Sequence, residues 1–83
     1  MDRVAKYIMW AKRECPFCQK AQLFFLDNKL SSTVFFVDEN PLLLEEKKSE
    51  YNWNTVPIIV KEKGDEKTFI GGYTDLIKYF EDE

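Results

Sequence analysis

The sequence predicts one small α/β domain with a mixed four-stranded sheet, elements in the order β-α-β-α-β-β-α, and helices on both faces of the sheet. Three observations predict this class. Short runs of β-branched and aromatic residues alternate with segments of helical periodicity. Prolines stand where two of the helices would begin, and a polar tip containing glycine separates the last two strand-like runs. The length of 83 residues suits a single core, so we expect one domain over residues 1–83.

The first strand and the first helix surround both cysteines of the chain. KYIMW (6–10) is an apolar run typical of a buried strand, and the polar AKREC (11–15) follows it as a loop. Pro16 suits the first position of a helix, because the N–H that proline lacks would be unpaired there. The helix should run to about Asp27. Its apolar residues recur at helical spacing at Phe17, Ala21, Phe24 and Phe25.

Two further predictions concern apolar residues outside that stripe, two in the helix and one run after it. Leu23 and Leu26 should fill a broad core face of a small domain; the alternative is a partly exposed apolar patch used in docking. TVFFV (33–37) is apolar on both of its faces, which predicts a second strand covered on two sides. A right-handed crossover through the helix would place this strand parallel to the first.

The second half of the chain predicts a helix, a hairpin and a terminal helix. Asn40 suits the N-cap of a helix with Pro41 in its first position, running to about Ser49. The hairpin has PIIV and TFI as its arms and KEKGDEK (61–67) as its polar tip. After the glycine pair at 71–72, Leu76, Ile77 and Phe80 mark the apolar face of the last helix.

Composition excludes several classes of function. A net charge of -3 argues against nucleic acid as the main partner, because phosphate-binding domains usually carry a basic surplus. No apolar stretch has the length of a membrane span, and MDRVAKYIMW lacks the apolar core of a signal peptide. We therefore expect a cytoplasmic protein without a membrane partner. The absence of histidine removes Cys–His and Ser–His catalysis, and two thiols fall short of the four ligands of a structural zinc.

The segment ECPFCQK (14–20) predicts redox chemistry. Cys15 would end the loop and Cys18 would lie one turn into the helix, whose unpaired N–H groups attract an anionic sulfur at Cys15. In a reducing cytosol, C-x-x-C beside a β-α-β unit is typical of a thiol pair in which Cys15 attacks a disulfide. Cys18, less exposed and with a higher pKa, would then resolve the mixed disulfide.

Charge is distributed unevenly around this pair. Residues 1–20 carry a net charge of +3, whereas the rest of the chain carries -6. The asymmetry can be ordinary surface variation. It can also form a cationic collar, including Lys12 and Arg13, that favours a thiolate and anionic substrates, with Glu14 opposing it.

Three segments, CPFC (15–18), TVP (55–57) and GGYTDL (71–76), resemble the glutaredoxin family in their order and spacing. Lys12 also matches the family's usual basic position, and the resemblance spans essentially the whole chain. It implies a dithiol glutaredoxin with the thioredoxin fold, acting as a monomer with glutathione as co-substrate and no permanently bound cofactor or metal. The substrates implied are protein disulfides and glutathionylated proteins, with Cys15 as nucleophile and Cys18 as resolving thiol.

The resemblance further implies that glutathione lies beside a cis-proline. Thr55 and Val56 would precede that residue, Pro57, and the backbone of Val56 would pair with the cysteinyl part of glutathione. Proline cannot donate a ladder hydrogen bond, and X-Pro bonds are where cis isomers occur. The alternative is a trans proline that merely starts a strand. Phe17 stands where the family mostly has tyrosine, which keeps the ring and loses the hydroxyl.

The two ends of glutathione have separate predicted contacts. In the family, the corner matching Gly72, Tyr73, Thr74 and Asp75 holds the γ-glutamyl group, with the threonine hydroxyl at its carboxylate and the aspartate at its ammonium. Alternatively, the threonine is simply an N-cap and the aspartate a favourable acid in the first turn. Lys12 would meet the glycyl carboxylate. YNWN (51–54) departs from the glutamine or arginine usual in the family there, and a side-chain N–H of Trp53 or Asn54 could replace it.

Two other functions remain open from the sequence. One is an iron–sulfur module, in which Cys15 of two copies and two glutathiones ligate one cluster; Pro16 stiffens the site against it. The other is a dedicated thioredoxin-like electron donor that serves one partner enzyme such as ribonucleotide reductase.

Overall fold

The structure, a computed structural model, describes residues 5–82; the ends of the predicted domain, residues 1–4 and 83, lie outside the described residues. The predicted α/β class and element order are confirmed. The elements are β1 (Lys6–Ala11), α1 (Pro16–Asp27), β2 (Ser32–Phe36), α2 (Pro41–Tyr51), β3 (Ile58–Lys63), β4 (Glu66–Gly71) and α3 (Tyr73–Glu81). Within residues 5–82, none of these helices combines the length and the hydrophobicity needed to span a bilayer.

The four strands form one mixed sheet in the order β2-β1-β3-β4. β1 pairs with β2 in parallel, as the β-α-β unit predicts, and with β3 in antiparallel orientation. β3 and β4 form the predicted antiparallel hairpin. β1 and β3 are therefore the central strands, and the loop that follows β1 and the segment that precedes β3 emerge at the same end of the sheet.

Helices cover both faces of this sheet, as predicted. Because successive residues of a strand point to opposite faces, Ile59 of β3 packs on one side and its neighbours Ile58 and Val60 on the other. The first side contains α1 and α3, whose buried residues there are Cys18, Ala21, Phe25 and Leu76. The second side contains α2, represented by Leu44.

The starts of α1 and α2 agree with the sequence. Each helix has proline in its first turn, and Asn40 caps α2 by accepting the N–H of Leu43 at 3.2 Å. α2 runs two residues beyond the predicted end at Ser49. It stops at Asn52, which adopts the left-handed conformation common just after a helix (φ 52°).

The buried face of α1 differs from the predicted one. Phe17 is 53% exposed, and Leu23 and Leu26 are 58% and 73% exposed, so the expectation that these residues fill the core is wrong. The helix turns Cys18, rather than its neighbour Phe17, toward the sheet, because Cys18 shares a face with Ala21 and Phe25. The apolar residues left outside are spread along the exposed side of α1, from its first turn to its last.

β2 is also more exposed than predicted. It is an edge strand that pairs with β1 alone, and Phe35 and Phe36 remain 46% and 39% exposed. Phe35 stacks on Trp10 with a centroid distance of 6.1 Å, and the Arg13 guanidinium lies 5.0 Å from the Phe36 ring. The apolar character of TVFFV therefore reflects these local ring contacts, and the strand is not buried on both faces of the sheet.

The hairpin tip is shorter than predicted. β3 continues to Lys63 and β4 begins at Glu66, so most of the polar segment 61–67 belongs to the strands. Gly64 takes a positive φ of 61° in the tight turn between them, where glycine is favoured.

Candidate active site

The N terminus of α1 brings the two cysteines together as free thiols. Cys15 is the N-cap in an extended conformation, and its Sγ accepts the backbone N–H of Cys18 at 3.3 Å. Cys15 is partly exposed, whereas Cys18 is fully buried against β1 and α3. This is the asymmetry that the C-x-x-C spacing predicts, with an accessible first sulfur held at a helix start and an enclosed second one.

Burial raises the pKa of Cys18 from the ordinary thiol value of 9.0 to about 12. Hydrogen bonding with Cys15 and the nearby negative charge of Asp38 act in the same direction, while the backbone N–H of Lys12 opposes them. Desolvation dominates because an anionic sulfur at this position would lose its hydration. Cys18 is therefore a neutral thiol at physiological pH. This suits a resolving cysteine, which reacts only after Cys15 has formed the mixed disulfide.

A groove of about 310 Å³ opens at the first turn of α1, where Phe17, two residues after Cys15, lines it. It gathers all of the residues predicted to bind glutathione except Lys12, which is exposed and does not line it. Trp53, which the sequence suggested only as an alternative N–H donor to the glycyl carboxylate, also lines the groove. The lining residues are Phe17, Trp53, Thr55, Val56, Pro57, Gly72, Tyr73, Thr74 and Asp75.

One side of the groove is the segment before β3, and the other is the start of α3. The Val56–Pro57 peptide bond is cis, as the resemblance implied. A Cβ placed on Gly72 would lie 3.7 Å from the carbonyl oxygen of Pro57, so the two backbones approach closely across the groove floor. Phe17, although exposed, stacks on Tyr73 with a centroid distance of 6.2 Å and encloses the remaining side.

The glycine pair shapes the corner at the start of α3. Gly71 has a φ of 122°, and a Cβ there would come within 2.8 Å of the Asp75 carboxyl group, so this position requires glycine. Gly72 is the N-cap, and its N–H donates to Oδ2 of Asp75 at 3.0 Å. The interpretation of Thr74 as the N-cap is therefore wrong; Thr74 lies two residues after the N-cap, in the first turn of α3, and is exposed at the groove.

Comparison with known proteins now decides the family, because the glutaredoxin family model matches residues 7–64. The chain belongs to the glutaredoxin family. The matched residues include both cysteines and the cis-proline segment, and the C-x-x-C pair fits the family's redox centre, which makes the protein a thiol–disulfide oxidoreductase. No curated protein sequence matches the chain significantly.

Solved structures give the same fold for this glutaredoxin. Glutaredoxin 1 from Francisella tularensis, determined with cacodylate, is 22% identical, with a TM-score of 0.76 over 94% of each chain. Glutaredoxin from Brucella melitensis is 21% identical, with a TM-score of 0.75 over 96% of this chain and 83% of that one. NrdH-redoxin from Escherichia coli is 16% identical, with a TM-score of 0.66 over 89% and 92%. The predicted thioredoxin fold is confirmed.

The cations around the redox pair of this glutaredoxin differ from the predicted collar. The Arg13 guanidinium lies 3.4 Å from the Asp38 carboxylate and over Phe36, so its charge is directed to β2 rather than to Cys15. Lys20, one of the basic residues of the 1–20 segment, has its ammonium 5.6 Å from the Phe17 ring and 6.0 Å from the Tyr73 ring. Cation–π contacts of this kind hold a positive charge at the groove wall.

Trp53 takes a different role from the one suggested by the sequence. Its ring packs edge-on against Phe69 at 5.3 Å, and its Cζ2 would lie 3.8 Å from a Cβ on Gly72. Within residues 5–82 its indole N–H is buried and has no hydrogen-bond partner. Trp53 thus offers the groove an apolar ring edge rather than the donor proposed from sequence. The departure of YNWN from the family pattern was the available signal.

The reduced protein is expected to lose stability as pH rises above 9. The unfolded Cys18 thiol ionises near 9.0, whereas the folded one keeps its proton to about 12, so the stability present below pH 9 is lost progressively between these values. Chemical unfolding of the reduced protein between about pH 8 and pH 10 should show this slope. Burial also raises the pKa of Tyr51 from 10.0, so the slope below pH 10 belongs to Cys18.

Cys18→Ala provides the control for this measurement. It should flatten the decline between about pH 9 and pH 10, whereas Cys15→Ala should leave the Cys18 contribution in place. A decline that survives in Cys18→Ala would contradict the assignment of a buried neutral thiol.

Proposed function

We propose that the protein is a glutathione-dependent oxidoreductase that reduces protein disulfides and glutathione mixed disulfides through Cys15 and Cys18. The observation that carries this proposal is the groove at the start of α1, in which the segment before β3 and the start of α3 face each other and the backbones of Pro57 and Gly72 approach closely. A tripeptide with an anionic and a cationic group at one end matches such a groove.

Three features support glutathione as the ligand. Within residues 5–82 the backbone of Val56 forms no hydrogen bond, which leaves it able to pair with an extended peptide. The N terminus of α3 offers backbone N–H groups for the γ-glutamyl carboxylate. The Asp75 carboxylate, held by the Gly72 N–H, can receive the ammonium, and Lys12 remains the predicted partner of the glycyl carboxylate.

Reduction of a glutathionylated protein then proceeds in two exchanges. The Cys15 thiolate attacks the glutathione sulfur, forming a Cys15–glutathione disulfide, and the protein sulfur leaves as a thiolate that takes up a proton. A second glutathione thiolate attacks the glutathione sulfur of that disulfide. Oxidised glutathione leaves, and Cys15 returns as a thiolate.

The dithiol route uses Cys18 for protein disulfides. Cys15 attacks one substrate sulfur, and Cys18 attacks Cys15 of the resulting mixed disulfide while its proton passes to the departing substrate sulfur. The products are a reduced substrate and a Cys15–Cys18 disulfide. Two glutathiones then reduce this disulfide and leave as one molecule of oxidised glutathione, so the electrons balance.

Two linked assays test this function against the thioredoxin-like alternative. One supplies electrons through NADPH, glutathione reductase and glutathione; the other supplies them through NADPH and thioredoxin reductase. We expect turnover of the mixed disulfide of glutathione and 2-mercaptoethanol in the first assay and much less disulfide reduction in the second. Turnover with thioredoxin reductase alone would instead favour the alternative suggested by NrdH-redoxin, a glutaredoxin-like protein with a thioredoxin-like activity profile.

The purified protein should be colourless. A brown protein that loses its colour in Cys15→Ser would indicate a cluster ligated by Cys15 in two copies, and would support the iron–sulfur alternative instead.

A further inference from the structure

A second groove, of about 260 Å³, lies along α1 next to the first. It is lined by Lys20, Leu23, Phe24, Asp27 and Tyr73. Tyr73 lines both grooves, so the second is a continuation of the redox site along the helix rather than a separate cavity. Leu23, which contributes to its apolar surface, is 58% exposed.

The two ends of this second groove carry opposite charges. Lys20, over the Phe17 and Tyr73 rings, lies at the end near the redox site, and Asp27 lies at the other end. Within the described part of the chain neither residue forms an ion pair. Lys20 and Asp27 are seven positions apart on α1, which corresponds to a rise of about 10 Å. Three residues of an extended peptide span about the same length.

We propose that the second groove binds the polypeptide of a protein substrate next to its reactive cysteine. The preferred segment is extended and has an acidic residue near the cysteine, an apolar residue at Leu23 and Phe24, and a basic residue three positions beyond the acidic one. This inference rests on the proposed function, because it names the substrate class of the same redox centre. Continuity through Tyr73 and the paired charges at matching spacing favour a peptide over an apolar small molecule.

Two glutathionylated peptides of identical composition test this preference. One carries Cys-Ser-Glu-Leu-Ser-Lys and the other carries Cys-Ser-Lys-Leu-Ser-Glu, each also made with the reversed order so that both chain directions are sampled. We expect a kcat/KM about threefold to tenfold higher for the acid-proximal peptide in its better direction, the range that two exposed ion pairs provide. The preference should weaken as salt is raised.

Variants of α1 assign the effect to the groove. Asp27→Lys should make the enzyme prefer an acidic residue at the peptide position that faces residue 27. Leu23→Ser should lower kcat/KM for the preferred peptide. Leu26→Ser is the matched control, because Leu26 is more exposed on the same helix and does not line the groove. All three variants should turn over the small mixed disulfide of glutathione and 2-mercaptoethanol at the wild-type rate.

The outcomes separate this inference from the proposed function. A protein that reduces the small mixed disulfide but handles both peptides equally overturns the inference alone. Equal losses in Leu23→Ser and Leu26→Ser, or dimerisation that Leu23→Ser abolishes, also overturn it, the latter by assigning the groove to a second copy. A protein that does not reduce the small mixed disulfide with glutathione overturns the proposed function and the inference with it.

Discussion

Cys15→Ser should abolish the reduction of both glutathione mixed disulfides and protein disulfides, whereas Cys18→Ser should abolish only the dithiol route. Loss of the nucleophile should lower kcat/KM by at least about a thousandfold. Without Cys18, glutathione itself can resolve the Cys15–glutathione disulfide, so activity on the mixed disulfide of glutathione and 2-mercaptoethanol should largely remain. The glutathione reductase-linked assay with that substrate and with a protein disulfide measures both effects.

A structural control is needed for the second variant, because Cys18 is fully buried. Cys18→Ser places a hydroxyl in an apolar site, whereas Cys18→Ala removes the thiol without adding a polar group. Both variants should lose the dithiol route to the same extent. Activity that survives in Cys15→Ser but not in Cys18→Ser would reverse the roles assigned to the two thiols.

Thr74→Val combined with Asp75→Asn should weaken the binding of glutathionylated substrate without unfolding the corner. Asparagine keeps an oxygen that can accept the Gly72 N–H but removes the charge offered to the γ-glutamyl ammonium. The loss of a charge-assisted hydrogen bond, about 1.5–3 kcal/mol, corresponds to a KM increase of roughly ten- to a hundredfold. Steady-state kinetics with varied glutathionylated substrate measures it.

The chain offers matched controls for this double variant. Thr68→Val with Asp82→Asn makes the same chemical changes at exposed positions outside the groove, and should leave KM unchanged. Asp75→Ala should additionally lower the free energy of unfolding by about 0.5–2 kcal/mol, because the Gly72 N–H loses its acceptor. An unchanged KM in the test variant would leave Thr74 and Asp75 with a capping role alone.

Much of the fold could be predicted because its elements carry strong local signals. Prolines in the first turns of α1 and α2, the Asn40 cap and the glycine pair mark boundaries that depend on backbone chemistry. Burial was predicted less well, since it depends on strand order. TVFFV has the composition of a central strand, but it lies at the edge because β3 takes the other side of β1.

The candidate site was predictable where backbone geometry defines it. The cis-proline segment and the corner at the start of α3 lie in one groove, as the resemblance implied. The positions of Trp53 and Lys20 could not be predicted, because they depend on tertiary packing, one ring against Phe69 and one ammonium against two rings. Arg13 was assigned to Cys15 by sequence proximity, whereas Asp38, distant in sequence, takes its charge.

The central claim is that glutathione attached to Cys15 lies in the groove between the segment before β3 and the start of α3. The most direct test is a comparison of backbone amide NMR spectra of Cys18→Ser, free and with one glutathione disulfide-linked to Cys15. We expect the largest amide shifts outside the cysteine turn at Val56 and at residues 72–75. Shifts confined to the first turn of α1, with glutathione resonances as narrow as those of a mobile tripeptide, would contradict the claim.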